Sequence, residues 1–218
     1  MKSLRLLTAS KYIAGFNCLA DCGTDHGKLP IYCVKNNLVK KAYASDNKEK
    51  PLNNAKKNIL DNNVQNSVIP VFADGLTYLT EEVDVVSILG MGGRLIESIL
   101  EEADLKNVKR LILIANSENE ILRTFLQKIY WKIIAEELIH ENRKNYQLIV
   151  LEKGQMQLTS LEKEFGPFII KEKSTQFISM ITKQINGLKT AVKHAKNEDV
   201  KQDLNIRISE LEEIITWI

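Results

Sequence analysis

Residues 18–32 read CLADCGTDHGKLPIY, in which a short apolar run passes directly into a glycine-containing loop. The run has the length and composition of a buried strand, and the segment after the loop carries apolar residues at helical spacing. The glycines allow a ligand to approach the backbone closely because they have no side chain. This strand, loop and helix are typical of the end of a parallel sheet where open α/β folds bind ligands.

Further β-branched runs follow along the chain, with helical patterns between them. This alternation predicts a parallel, doubly wound α/β sheet, because each crossover connection needs a helix's length of chain. Two last strands, at residues 131–141 and 146–154, have a connection too short for a helix, which predicts an antiparallel terminal hairpin. The parallel strands predicted are CLADC (18–22), KAYAS (41–45), VIPVF (68–72), VDVVSIL (83–89) and RLILIA (110–115).

A wholly helical tail follows the sheet region. Strand signals stop after Gly154, and Gly166 and Pro167 interrupt the chain before two apolar seams begin. The seams predict an antiparallel, coiled-coil-like helical hairpin. We expect two domains, residues 1–154 and 155–218. The seam residues are Ile178, Ile181, Ile185, Leu188 and Val192 on the first arm, and Leu204, Ile208, Leu211, Ile215 and Ile218 on the second.

The composition excludes several classes of protein. The hydrophobic fraction of 44% and the charged fraction of 27% are typical of a globular chain rather than a disordered or fibrous one. No apolar run reaches the roughly 18 residues of a membrane span, and the first residues lack a secretory pattern. We therefore expect a cytoplasmic monomer that does not associate with a membrane. Three cysteines without CxxC or histidine spacing predict neither disulfides nor a metal site.

Acidic residues follow three of the predicted strands. Asp21 ends the first strand, Asp46 ends the second, and Asp74 closes the third. Because the carboxyl ends of parallel strands meet at one edge, these side chains are expected to surround one pocket. Asp21 would repel a diphosphate, and the GxxxG spacing departs from the dinucleotide fingerprint. The pocket favours S-adenosyl-L-methionine, which carries an ammonium and a sulfonium charge, over NAD.

Each cofactor contact predicted at this edge also has a structural explanation. A glycine turn can simply connect two elements, an aspartate can cap a helix, and a lone histidine can be a hydrogen-bonded structural residue. Their common register favours binding, with Asp46 accepting the ribose hydroxyls, Asp74 accepting the adenine amino group and Leu76 packing on the ring. The predicted cofactor residues are Asp21, Gly23, Thr24, His26, Gly27, Asp46, Asn47, Asp74, Gly75, Leu76 and Gly90.

Four motifs along the chain are GTDHGKLPIY (23–32), ASDNKEKPLNNAKKN (44–58), ILGMGGRLIESIL (88–100) and LRTFL (122–126). Together they resemble the bacterial tRNA adenine-22-N1 methyltransferases. The resemblance implies a Rossmann-like class I methyltransferase sheet, a coiled-coil-like C-terminal domain, and methylation of N1 of adenine 22 in the tRNA D-arm. The chain departs from the family pattern at Gly27-Lys28, where an Ala-Tyr pair is usual, and at Ile114-Ala115, where Gln-Pro is usual before Asn116.

Positioning is expected to dominate catalysis, because adenine N1 is already a nucleophile at neutral pH. The product ring gains positive charge, so the predicted catalytic groups are Asp25 and the backbone of Gly90, Met91 and Gly92. A paired adenine would have to leave its stack to react.

Basic residues near the amino terminus and on the first helical arm predict contacts to tRNA phosphates. The second arm is acidic, so pairing between the two arms explains the tail lysines equally well. Two other functions stay open: a small-molecule methyltransferase with a helical lid, and a non-catalytic RNA-binding protein on the same fold. The predicted RNA contacts are Lys2, Arg5, Lys11, Lys183, Lys189 and Lys193.

Overall fold

The protein, seen in a computed structural model that describes residues 3–216, contains one seven-stranded sheet. The strands are β1 (Cys18–Cys22), β2 (Lys41–Asp46), β3 (Val68–Phe72), β4 (Val85–Met91), β5 (Arg110–Ala115), β6 (Trp131–Glu141) and β7 (Lys144–Lys153). Their order across the sheet is β3-β2-β1-β4-β5-β7-β6. The first five strands pair in parallel, and β7 pairs antiparallel with both β5 and β6. The predicted α/β fold class is confirmed.

Two local features explain how the sequence fits this sheet. Pro70 lies within β3, which is an edge strand and pairs only with β2. Proline is tolerated there because the N–H that it lacks is not needed for a second neighbouring strand. The hairpin between β6 and β7 turns at Asn142 and Arg143, whose φ angles are 51° and 63°. Positive φ at both central residues is typical of a tight two-residue turn, so the connection is shorter than predicted.

Helices cover the two faces of the sheet. Those of the sheet region are α1 (Leu4–Ile13), α2 (Lys28–Lys35), α3 (Glu49–Asp61), α4 (Gly93–Glu102), α5 (Asn119–Lys128) and α6 (Ser160–Phe165). Helix α1 was not predicted, and it buries Ala9 and Ile13 completely. Among the described helices, none is long and apolar enough to cross a membrane.

The core has two layers because successive side chains of a strand point to opposite faces. Cys18 and Ala20 of β1 pack in one cluster with residues of α4 and α5, whereas Leu19 packs in the other with residues of α1 and α2. Full burial of one such aliphatic side chain contributes roughly 1.5–3 kcal/mol. The packed layers hold the strands in register and leave the loops at their carboxyl ends accessible.

The chain divides into two compact units, Met1–Phe165 and Gly166–Ile218. The second unit consists of α7 (Pro167–Glu172), α8 (Thr175–His194) and α9 (Glu198–Thr216). Ser174 caps α8 by accepting a hydrogen bond from the N–H of Phe177 at 3.2 Å. The domain division after residue 154 stays a prediction.

The apolar seam of the second unit differs from the expected one at its end. Helix α9 buries Ile208, Leu211 and Ile214, and Ile215 is only partly buried. Ile214, three residues after Leu211, lies on the same face of the helix as the expected Ile215, four residues after it, so either residue can face inward. Ile218 lies outside the described residues.

Candidate active site

The loop between β1 and α2 has an unusual backbone. The φ angles of Gly23, Asp25, His26 and Gly27 are 71°, 42°, 30° and 65°. Positive φ is uncommon for non-glycine residues and costs about 1–3 kcal/mol where it is strained, so surrounding structure must enforce it. Such strain at the carboxyl end of a parallel strand is typical of a ligand-binding turn.

Asp21 lies beneath this loop and is only 4% exposed. Its two carboxylate oxygens accept hydrogen bonds from the hydroxyls of Thr24 at 2.7 Å and Ser87 at 2.6 Å. Burial raises the pKa of Asp21 to about 6, although both hydrogen bonds oppose this shift. The charge of the carboxylate is therefore only partly compensated, and a nearby cation would stabilise it.

The loops after β2 and β3 are joined by their side chains. Asn47 donates a hydrogen bond from its amide to Asp74 Oδ1 at 2.9 Å. Asp46 Oδ1 accepts the N–H of Lys48 at 2.9 Å, which orients the carboxylate in a local turn. The structure thus brings the ends of β2 and β3 to one edge, with Asp74 and Asn47 exposed to solvent.

The two residues after Asp74 are Gly75, which forms a tight turn, and Leu76, which enters the core. Gly75 has a φ of 59°, and a Cβ atom there would lie 3.3 Å from Ile99. The turn therefore requires glycine at this position. Leu76 belongs to the core and is 2% exposed, so it offers almost no surface to a ligand.

The segment after β4 is held by the loop that follows β5. The strand continues to Met91, two residues further than predicted, and its register with β5 shifts between Leu89 and Met91. The side-chain amide of Asn116 donates to the carbonyl of Gly90, whose φ is 106°. The N–H of Asn116 donates to the carbonyl of Met91 at 2.8 Å. Asn116 thereby fixes the conformation of the predicted catalytic turn.

Two of the predicted turns meet. A Cβ atom at Gly23 would overlap the Cε of Met91, so the side chain after β4 lies directly against the loop after β1. At the start of α4, a Cβ atom at Gly93 would overlap the carbonyl oxygen of Glu118. Close packing requires glycine at position 93, because the overlapping atom belongs to the backbone, whereas Met91 Cε is the end of a flexible side chain and glycine at position 23 is favoured by its φ of 71°.

The chain matches a known family over most of its length. Residues 19–215 match the family described as tRNA (adenine(22)-N(1))-methyltransferase. This chain belongs to that family. The tRNA (adenine(22)-N(1))-methyltransferase of Bacillus subtilis (strain 168) is 30% identical over 229 residues, which cover 98% of this chain and 96% of the relative.

Solved structures of similar proteins support the assignment to the methyltransferase family. A Streptococcus pneumoniae protein solved in complex with S-adenosyl-L-methionine has a TM-score of 0.89 and 36% identity, covering 99% of this chain and all of that one (100%). The M. capricolum TrmK, solved with the cofactor product S-adenosyl-homocysteine, has a TM-score of 0.86 and 31% identity over 99% of this chain and 98% of its own. The predicted family is confirmed.

Other predicted residues of this methyltransferase differ in how close they lie to the clustered turns. The Asp25 side chain is 70% exposed and lies 3.4 Å from Nε2 of His26. Lys11 is exposed on α1, and Lys2 lies outside the described residues. Arg5 approaches the turn after β4, since its Nη1 is 4.0 Å from the position of a Cβ atom at Gly90.

The remaining predicted RNA contacts lie on α8, in the second unit of this methyltransferase. Lys183 and Lys193 are exposed, whereas Lys189 pairs with Glu212 of α9 at 2.7 Å. This ion pair is of the kind predicted as the alternative to an RNA contact, in which the lysines of the first arm pair with the acidic second arm. Among residues 3–216, no group of three or more histidine, cysteine or acidic side chains could hold a metal ion.

Ser87 and Asn116 were not predicted as site residues. Ser87 lies in the middle of an apolar strand, where its polarity was the only available signal. Asn116 was noted only as the residue that this methyltransferase shares with the family pattern after the fifth strand. Ser87 contacts Asp21 and Asn116 contacts Gly90. Both contacts depend on pairing between strands that are distant in sequence.

Proposed function

We propose that this chain transfers a methyl group from S-adenosyl-L-methionine to N1 of adenine 22 in tRNA. The observation that carries the proposal is the single edge formed by Asp21, Asp46 and Asp74, with a strained glycine loop beside them. Three carboxylates and a closely approachable backbone suit a cationic adenosyl ligand better than an anionic dinucleotide.

The carboxylates have different roles in this proposal. Asp46 accepts the ribose hydroxyls, and Asp74 with Asn47 contacts the adenine edge. Asp21 is buried and already accepts two hydroxyls, so it acts by its charge and by holding Thr24 in place. Leu76 supports the loop from the core rather than stacking directly on the adenine ring.

The turn after β4 positions the target adenine. S-Adenosylmethionine, when bound, supplies an electrophilic methyl group. The amide nitrogen of Asn116 is engaged with the carbonyl of Gly90, so its Oδ1 is the acceptor assigned to the adenine 6-amino group. Alkylation at N1 increases the positive charge on that amino group, which strengthens its hydrogen bond to Asn116 in the transition state.

The experiment is methylation of a tRNA transcript by the purified full chain, followed by mapping of the modified nucleotide. Methylation is expected at adenine 22 and is expected to disappear in a transcript with guanine at that position. A small-molecule methyltransferase or a non-catalytic RNA-binding protein would leave the transcript unmodified. Methylation at another nucleotide would refute the assigned substrate.

Asp46→Ala tests the cofactor site in the same preparation. Each hydrogen bond to a charged group contributes about 1.5–3 kcal/mol, so the loss of both should lower S-adenosylmethionine affinity in calorimetry by at least about 100-fold. Asp104→Ala is the matched control. Asp104 lies after α4 in a turn of the same kind, where its Oδ1 accepts the N–H of Lys106 at 3.0 Å. Equal affinity in the two variants would contradict the assignment of Asp46.

A further inference from the structure

A cleft of about 950 Å³ lies on the sheet face covered by α1, α2 and α3. Among the described residues that line it, three are cationic, Arg5, Lys28 and Lys35, and Glu141 is the only acidic one. His26 of the strained loop also lines the cleft, so it borders the candidate cofactor site. A cavity of this size can hold more than one nucleotide-sized group.

The charges in the cleft do not cancel. Glu141 pairs with Nε of Arg5 at 2.7 Å, which leaves the two lysines as the uncompensated charges. Lys35 donates to the side-chain oxygen of Asn62 at 3.0 Å, and Lys28 is exposed. Among the described residues, no carboxylate forms an ion pair with Lys28 or Lys35. An unpaired cationic surface of this kind attracts polyanions.

Two residues that line the cleft, Asn58 and Arg5, also lie against the loops of the candidate site. The amide of Asn58 donates to the carbonyl of His26 at 2.8 Å and thereby supports the strained loop. The guanidinium of Arg5 stacks on the ring of Tyr146 at 4.2 Å, with Nη1 close to Gly90. A chain of phosphates in the cleft would therefore run beside both the cofactor loop and the turn after β4.

We propose that this cleft binds backbone phosphates of the RNA that flank the target nucleotide. The proposal rests on the function proposed above. A base that reacts at N1 has to be unpaired or extruded, and the enzyme must then hold the backbone on either side of it. Lys28 and Lys35 lie about two turns apart on the same face of α2 and supply the positive charge that holds the phosphates. The side-chain amides of the cleft donate hydrogen bonds to the sugars or accept them. These contacts position the RNA and carry no base specificity.

The test compares Lys28→Gln, Lys35→Gln and the double variant with Lys128→Gln. Lys128 is an exposed lysine on α5, on the opposite face of the sheet, and serves as the matched control. For each full-length protein, affinity for a tRNA transcript is measured between low and high salt, together with S-adenosylmethionine affinity and the methylation rate. The double variant is expected to bind tRNA about tenfold more weakly, with a salt slope reduced by about two, and to bind S-adenosylmethionine unchanged.

The outcomes separate this proposal from the proposed function. If the wild type methylates adenine 22 and the double variant binds tRNA like Lys128→Gln, the cleft is not the phosphate site and the function stands. If S-adenosylmethionine affinity falls together with tRNA affinity, the lysines act through the loop and the cleft proposal is again overturned. If the wild type does not methylate tRNA, the function itself fails.

Discussion

Two buried charges in the first unit are treated differently by the fold. Arg123 on α5 is completely buried and donates to Glu136 Oε1 from Nε at 2.9 Å and from Nη2 at 2.7 Å. Asp21 is nearly as buried, but both of its partners are neutral hydroxyls. The other acceptors around the guanidinium are Gln147 Oε1 at 2.7 Å and the carbonyls of Lys163 at 2.9 Å and Glu164 at 3.2 Å.

The difference separates a structural charge from a functional one. Burial lowers the pKa of Arg123, and the carboxylate of Glu136 opposes this shift. The contacts of the Arg123 guanidinium join α5, β6, β7 and α6. Burial raises the pKa of Asp21 to about 6, since its hydroxyl partners compensate the charge only in part. Loss of one partner from a fully paired buried charge destabilises the fold, whereas a partly compensated charge retains affinity for an external cation.

The largest expected effect tests the structural half of this comparison. Arg123→Ala should lower the free energy of unfolding by about 3–5 kcal/mol, because Glu136 is left as an unpaired buried charge. Urea titration of the full chain measures the loss. The control is the double variant Arg123→Met with Glu136→Leu, which should recover part of the stability because no charge remains buried, while the acceptors of Gln147, Lys163 and Glu164 lose their donor. A loss of less than about 1 kcal/mol in Arg123→Ala would show that the pair is not structural.

Asp21→Asn tests the partly compensated charge and should raise the free energy of unfolding, whereas Arg123→Ala should lower it. The folded state holds the Asp21 proton more tightly than the unfolded chain, so stability is lost as pH rises from about 4 through the folded pKa of about 6. The substitution should therefore raise the free energy of unfolding by up to about 3 kcal/mol above pH 7 and by nearly nothing at pH 4. Urea titrations at both pH values measure this, and a destabilised variant above pH 7 would contradict it.

The same carboxylate should make cofactor binding depend on pH. Protonation of Asp21 removes the charge that favours a cation, so wild-type affinity for S-adenosylmethionine should fall below pH 6, by at most about tenfold per pH unit. Asp21→Asn should bind more weakly at pH 8 and show no such dependence. Calorimetry at pH 5 and pH 8 compares the two proteins, with Asp104→Asn as the control. A parallel pH dependence in wild type and Asp21→Asn would exclude Asp21 as its source.

The smallest effect concerns an ion pair that is exposed. Lys189 and Glu212 on the second unit have side-chain exposures of 52% and 44%. Lys189→Ala should change the free energy of unfolding by less than about 1 kcal/mol, because solvent and salt screen such pairs. A loss comparable to that of Arg123→Ala would mean that exposure does not distinguish the two pairs.

Much of the sheet could be predicted from local patterns. The strands at 18–22, 68–72 and 110–115 have the predicted bounds, since each is a short apolar run bordered by turn residues. Helix α1 could not be predicted, because its residues mix polar and apolar types and its burial depends on a sheet formed by later residues. Strand β4 extends to Met91 because pairing with β5 continues past an irregularity at Gly90.

The candidate site was predictable in position but not in its internal contacts. Asp21, Asp46 and Asp74 could be placed at one edge, because parallel strands align their carboxyl ends. Their different environments could not be predicted, since Ser87 is 66 residues from Asp21 and meets it only through strand pairing. For the same reason Arg5 was predicted to contact RNA without any indication that it pairs with Glu141.

The amino-acid sequence by itself determined the order of the strands and of the helices that connect them, the glycine loop and the family, because these depend on periodicity and on residues close in the chain. Only the tertiary structure decided which charges are compensated. The pairing of Arg123 with Glu136, the hydroxyls around Asp21 and the cationic cleft beside His26 all require residues from separate elements to meet. Burial and the distance between charges set these energies, and neither quantity is defined until the chain has packed.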